Sequence, residues 1–286
     1  MNLDLKDINM KETLFVTDLD GTLMRNDKSI SEESISIINE LIKQGMTFTV
    51  ATARSAMSVQ HIVEPFDIQV PIIIRNGTAL AAPGSLDIIE KAIFTDDEVA
   101  KLREILTELP GCGFTSIWHG NEMKKVFLEG EHSIGIQKYL AEREGEKSVQ
   151  MVDDVSRLYA GDVGYITMID DKEKLEPIYN RVKELDGWES VLQKDSYSED
   201  YWLELCPENS TKAKAIVRLK ERLGKRRVVV FGDSVNDIPM FQIADEAYAV
   251  ENALPELKQY ATGIIASNEN DGVAKFLQKT AVNHVL

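Results

Sequence analysis

Two carboxylates, Asp18 and Asp20, stand one residue apart in the stretch Phe15-Val16-Thr17-Asp18-Leu19-Asp20-Gly21-Thr22-Leu23. So placed, they repel unless a cation lies between them or one keeps a proton. Both arrangements suit phosphoryl transfer, with Asp18 attacking phosphorus, Mg2+ neutralising charge and Asp20 carrying the proton of the leaving oxygen. Three more clusters could join them. Thr52, before Ala53 and Arg54, offers a hydroxyl and turn N–H groups suited to phosphate oxygens. Lys212 opens a helix, where a cation meets the positive end of the dipole; a docked phosphate would resolve that conflict. Gly232-Asp233-Ser234-Val235-Asn236-Asp237 adds carboxylates from which Mg2+ could bridge to Asp18. Mg2+ commonly takes one or two carboxylates, waters and a substrate phosphate. The plainer reading of the first stretch alone is a strand-to-turn junction capped by Asp.

These residues need elements that end in the same place. Leu14-Phe15-Val16 reads as a strand broken by a turn at Asp-Gly-Thr. Ser31 opens an amphipathic helix with Ile35, Ile38, Leu41 and Ile42 on one stripe, ended by Gly45. Met46–Ala51 and Val70–Ile74 read as second and third strands, with a short helix to about Glu64 between them. Strands alternating with helices predict a parallel sheet. For Thr52 and Asp233 both to reach Asp18, strand one must lie between strand two and the strand Arg227–Phe231. That places the site at a topological switch point, beyond the carboxyl ends of the strands.

Beyond Pro83-Gly84 the pattern changes. Ile88–Phe94 reads as a strand, and Thr95 to Glu98 as a capping box for a helix to about Leu109. Phe114–Trp118 and Met123–Leu128 flank a turn at His119-Gly120-Asn121-Glu122, a hairpin. Helical patterns fill about 131–144 and 172–185, and Val163–Met168 and Trp188–Leu192 read as strands. Tyr201–Leu205 leads back to the first pattern, and a helix then runs to Leu223. Strand–helix units near Ala247–Val250 and Gly263–Ala266 finish the chain. The expected organisation is a core of 1–82 and 199–286 with an inserted α+β domain at 83–198.

The 286 residues suffice for two domains without staples. Cys112 and Cys206, the only two cysteines, have no metal-like spacing, so a reduced, cytoplasmic setting is expected. Met1–Thr13 is polar and acidic, unlike a signal peptide, and no apolar run reaches membrane length. A formal net charge of −16 disfavours nucleic acid and anionic membrane surfaces as partners. The four histidines read as turn, surface or packing residues. Arg25, Arg54, Arg75, Lys124 and Lys125 read first as surface or structural groups, with substrate contact as the alternative.

Over nearly its whole length the sequence resembles the haloacid dehalogenase superfamily of phosphatases, within it the Cof-type group with a large α/β cap (type IIB). Asp18 to Leu23 matches the first family motif, and Gly232 to Asp237 the fourth in full. Ala51-Thr52-Ala53-Arg54 and Ser210-Thr211-Lys212 resemble the second and third. Asn76-Gly77 and Ser267-Asn268-Glu269-Asn270-Asp271-Gly272-Val273-Ala274 also fit the group. Ala53, Ala213 and Glu251 stand where glycine is usual.

The resemblance implies a doubly wound parallel-sheet core with a cap that sets substrate specificity. It implies Mg2+-dependent hydrolysis of a small phosphorylated metabolite, such as a sugar phosphate or a phosphorylated cofactor. Asp18 would be the nucleophile and Asp20 the acid and base. Asp18, the Asp20 carbonyl and Asp233 would hold the metal. Thr52, Lys212, Asn236 and the N–H groups of Leu19 and Ala53 would hold phosphate, with Asp237 supporting the metal shell and Lys212. The rivals are a phosphomutase, a shorter receiver-like module and an inactive phospholigand-binding protein. The oligomeric state stays open.

Overall fold

The computed structural model describes residues 9–195 and 199–282. Most of the polar stretch Met1–Thr13, and His284, lie outside them. The chain forms two compact units, one holding the chain up to Glu90 and from Ser210 onward, the other Lys91–Asn209.

The first unit begins with β1 (Thr13–Thr17), all five residues buried. α1 (Glu32–Lys43) follows, its first turn capped by the Ser31 hydroxyl accepting from the Ser34 N–H. Then come β2 (Thr47–Val50), α2 (Ala56–Val63) and three short strands, β3 (Ile72–Ile74), β4 (Ala79–Ala81) and β5 (Ile88–Lys91). The second unit runs α3 (Asp96–Leu106), β6 (Gly113–His119), β7 (Glu122–Leu128), α4 (Ile134–Ala141), β8 (Val149–Val152), α5 (Val155–Leu158), β9 (Asp162–Asp170), α6 (Lys172–Val182), β10 (Trp188–Lys194) and β11 (Tyr201–Pro207). The chain returns through α7 (Lys212–Arg222), β12 (Arg227–Gly232), α8 (Ile238–Ile243), β13 (Glu246–Val250), α9 (Pro255–Lys258), β14 (Gly263–Ile265) and α10 (Gly272–Val282).

Five strands of the first unit make a parallel sheet in the order β14-β13-β12-β1-β2. The expected central place of strand one is observed. Val16 lies level with Val230 of β12 and Thr49 of β2, so all three strands end side by side. A parallel strand covered on both faces needs apolar residues throughout, and Leu14, Phe15 and Val16 on β1 and Val229, Val230 and Phe231 on β12 are fully buried. The third strand departs from expectation. β3 joins the parallel sheet through one bridge, Ala51 to Ile73, and pairs antiparallel with β4, which the sequence reading left out. Three residues are too few to show a period.

The second unit is a six-stranded sheet, β10-β11-β9-β6-β7-β8, with antiparallel pairing except between β7 and β8. α3 and α6 supply Leu102, Ile105, Leu175 and Ile178 to its larger core, and α4 supplies Ile136 and Tyr139 to a smaller one on Phe114, Phe127 and Ile169. Tyr201–Pro207 belongs to this sheet, bonded to β10 and β9, instead of leading directly back to the first unit. Both cysteines are free thiols. Among the described residues no helix is long and apolar enough to cross a membrane.

Candidate active site

The site lies in the first unit, where β1, β2 and β12 end. Asp18 follows the last residue of β1, and its N–H donates to the Phe231 carbonyl at 2.9 Å, fixing it against β12. Its side chain is buried, as are those of Lys212 and Asp237. Lys212 Nζ donates to Asp18 Oδ1 at 2.7 Å and to Asp237 Oδ1 at 2.8 Å. Two carboxylates therefore answer the lysine charge at the start of α7. Burial works to lower the Lys212 pKa, but the attraction of Asp18 and Asp237 outweighs it and raises it.

The fourth motif closes on itself. Asp237 Oδ2 accepts from the backbone N–H groups of Asp233 at 3.1 Å and Ser234 at 3.3 Å. Thr22 Oγ1 donates to Asp233 Oδ1 at 3.1 Å and joins this turn to the first motif. Gly21, at φ 76°, lies so close that a Cβ there would come within 2.4 Å of Asp233 Oδ2. A left-handed backbone and this approach both call for glycine.

Thr52 is fully buried, and its hydroxyl accepts from the Arg54 N–H at 3.1 Å. Two further bonds pin the turn, from the Asn76 N–H to the Thr52 carbonyl and from the Arg75 N–H to the Arg54 carbonyl, both 2.9 Å. Arg75, Asn76 and Gly77 are three consecutive left-handed residues. A Cβ on Gly77 would stand 2.2 Å from the Thr211 carbonyl, so this segment packs directly on the residue preceding Lys212. Leu19 is buried, whereas Ala53, Asn76 and Asn236 are exposed.

Asp18, Asp233 and Asp237 can each present an oxygen within 4.8 Å of the others. Three carboxylates against one ammonium leave negative charge to be neutralised. Burial, followed by the charge of Asp237, pushes Asp233 up to about 6. Burial also pushes Asp18 up to about 7, with Lys212 opposing and Asp237 adding to it. Such an all-oxygen set fits a hard divalent cation.

Asp20 behaves differently. Its side chain is exposed and points both oxygens at Arg54, with Nε to Oδ2 at 2.8 Å and Nη2 to Oδ1 at 2.6 Å. The hydrogen bonds from Arg54 hold its carboxyl below the usual range. Nothing in the sequence pairs these two residues, which lie 34 positions apart.

Asn252 and Asn268 also escaped the sequence reading of the site. Asn252 Nδ2 donates to the Gly21 carbonyl at 2.8 Å, and its Oδ1 accepts from the Asn268 N–H at 3.0 Å. The Leu254 N–H donates to the Asp233 carbonyl at 2.8 Å. One loop after β13 thus holds both carboxylate-bearing turns. Buried Asn268 donates to the Met24 carbonyl at 3.0 Å. Asp271, on the same late motif, accepts from Ser31, Ser34 and Arg25.

The sequence profile of the haloacid dehalogenase-like hydrolases matches residues 15–277. A Bacillus subtilis relative, 5-amino-6-(5-phospho-D-ribitylamino)uracil phosphatase YwtE, is 25% identical, over 92% of this chain and 96% of its own. An Escherichia coli HMP-PP phosphatase is 26% identical, over 84% and 85%. Among solved structures, TM0651 from Thermotoga maritima superposes with TM-score 0.69 at 24% identity, over 93% of this chain and 96% of its own. The phosphatase BT1666 from Bacteroides thetaiotaomicron superposes with TM-score 0.73 at 17% identity, over 96% and 97%. With a matching profile across both halves of the core, and the motif residues gathered at the ends of β1, β2 and β12, the chain belongs to the haloacid dehalogenase-like hydrolase family.

Proposed function

We propose that this chain hydrolyses small phosphate monoesters with Mg2+ as cofactor and an aspartyl-phosphate on Asp18 as intermediate. The observation that carries the reading is Lys212 bridging Asp18 and Asp237 beside Asp233, at the strand ends where Thr52 also lies. Asp18, Asp233 and the Asp20 carbonyl would hold Mg2+, with Asp237 behind them. Bound there, the ion would neutralise charge on the phosphoryl oxygens and on the crowded carboxylates.

The other steps fall to the chain itself. A carboxylate oxygen of Asp18 attacks phosphorus, forming the O–P bond as the bond to the leaving oxygen breaks. Asp20, protonated from solvent as substrate binds, gives that proton to the leaving oxygen, then takes one from the water that attacks the phosphorus and frees Asp18 with inorganic phosphate. Lys212, Thr52, Asn236 and the N–H groups of Leu19 and Ala53 would hold the phosphoryl oxygens. The named activities of the relatives, on a phosphorylated ribityl compound and on HMP-PP, support a small phosphorylated metabolite as substrate. The inserted unit, read as a cap, would set which one.

The test is release of phosphate from a set of phosphorylated metabolites and from nitrophenyl phosphate. Activity should require Mg2+, vanish in chelator and return on readdition. Undiminished turnover in excess chelator would reject the metal, and turnover by a folded Asp18→Asn variant would reject the nucleophile. Transfer of the phosphoryl group to a sugar in preference to water would identify a phosphomutase.

A further inference from the structure

The proposed proton transfer leaves the Arg54 contact unexplained. The guanidinium places a hydrogen bond on each oxygen of Asp20, so the side chain is held toward Arg54. Asp20 must let go of Arg54 before it can act. The side chains of the pair are 52% and 20% exposed, so water can compete for this bidentate contact. A phosphate dianion offers the guanidinium fork the same paired oxygens with more charge.

Arg54 is also built where such an anion would arrive. Its N–H is bonded to the Thr52 hydroxyl and its carbonyl accepts from Arg75, so the backbone is fixed. Only the side chain need move. We propose that Arg54 is an exchangeable latch on Asp20. An arriving phosphoryl dianion draws the guanidinium onto itself, and the freed Asp20 side chain takes a proton from solvent and turns toward the leaving oxygen. Hydrogen bonds change hands and one proton is taken up. The inference rests on the phosphatase reading and adds a residue that senses the substrate and releases the acid.

Coupling between the two residues tests it. Inorganic phosphate affinity is measured by calorimetry, with Mg2+ present, on the full chain and on Asp20→Asn, Arg54→Gln and the double variant. Melting temperatures check that each is folded. Asp20→Asn should tighten phosphate by about tenfold, a magnitude usual for contacting residues, because the latch no longer competes. Arg54→Gln should weaken it, and Arg54→Lys, which keeps charge but loses the fork, should fall between. On the Arg54→Gln background, Asp20→Asn should change affinity by less than about twofold. Equal tightening on both backgrounds would mean that only negative charge had been removed, and would overturn the latch. So would an Arg54→Gln variant of unchanged affinity. A wild-type protein that binds no phosphate would sink the phosphatase reading itself, and the latch with it.

Discussion

Asp18, Lys212 and Asp237 are buried together, and the one lysine charge answers both carboxylates. Breaking a buried pair by removing one partner typically costs about 3–5 kcal/mol, because the remaining charge is stranded. Lys212→Met should therefore lower stability by about that amount in chelator, as well as abolish turnover, and urea unfolding would measure it. Asp20→Asn should slow turnover roughly 100- to 10,000-fold for alkyl phosphates and less for nitrophenyl phosphate, whose leaving group needs no proton. Equal losses for both esters would remove Asp20 from the proton path. The raised pKa values of Asp18 and Asp233 give a pH signature. An acid whose native value is raised binds its proton more readily folded than unfolded, so its contribution to stability declines as pH rises. In chelator the melting temperature should fall between the ordinary carboxylate range and about 7, the value to which Asp18 is pushed. Added Mg2+ should flatten that slope, and a slope indifferent to Mg2+ would count against a metal among these carboxylates.

At the scale of elements, the loop after β13 and the turn before α10 set the geometry of residues that they do not contain. Asn252 holds the Gly21 carbonyl, the Leu254 N–H holds that of Asp233, and Asn268 holds Asn252 and the Met24 carbonyl. Asn268→Ala leaves the buried Met24 carbonyl without its side-chain donor, which usually costs about 1–3 kcal/mol, and should raise the Mg2+ concentration needed for half activity. Calorimetric Mg2+ titration would separate that effect from simple unfolding. Asp271 acts beside it. Burial would raise its pKa, but hydrogen bonds from Ser31, Ser34 and Arg25 prevail and depress it. Its contribution to stability is therefore present at neutral pH and lost as pH falls below the ordinary carboxylate range. Asp271→Asn should destabilise at pH 7 and matter little in strong acid.

The sequence made the central strand legible, because Phe15-Val16 must be buried on both faces while Asp18-Leu19-Asp20-Gly21 cannot continue a strand. It made Asp18, Thr52, Lys212 and Asp233 legible for the same reason, since each follows an apolar run or opens a helix. β4, only Ala79-Leu80-Ala81, offers no period. β8 is half exposed and holds Gln150 and Met151 where alternation would be sought. The Arg54–Asp20 pair and the Asn252–Asn268 relay depend on tertiary distance, which spacing along the chain does not encode.

At the scale of the whole molecule, the second unit carries its own cores and closes its own ends. Phe94 bonds to Val163, and the Glu208 N–H bonds to the Gly187 carbonyl. A unit with its own core can fold alone, so residues 91–209 expressed by themselves should melt cooperatively. A non-cooperative melt would show that the unit depends on the rest of the chain. The first unit has no such independence. Lys212 lies 194 residues beyond Asp18, and β1 needs β12 on one side as it needs β2 on the other. On the ribosome, β1 and β2 emerge early with the β12 side of β1 uncovered, and the whole intervening unit can be finished before that strand arrives. Unpaired strand edges of this kind invite aggregation and are the natural targets of chaperones. A chain cut short between β11 and α7 would thus carry a complete inserted unit, an uncovered β1 and an Asp18 without its lysine. Quality control would meet a half-built sheet, and prematurely terminated copies would never compete for substrate.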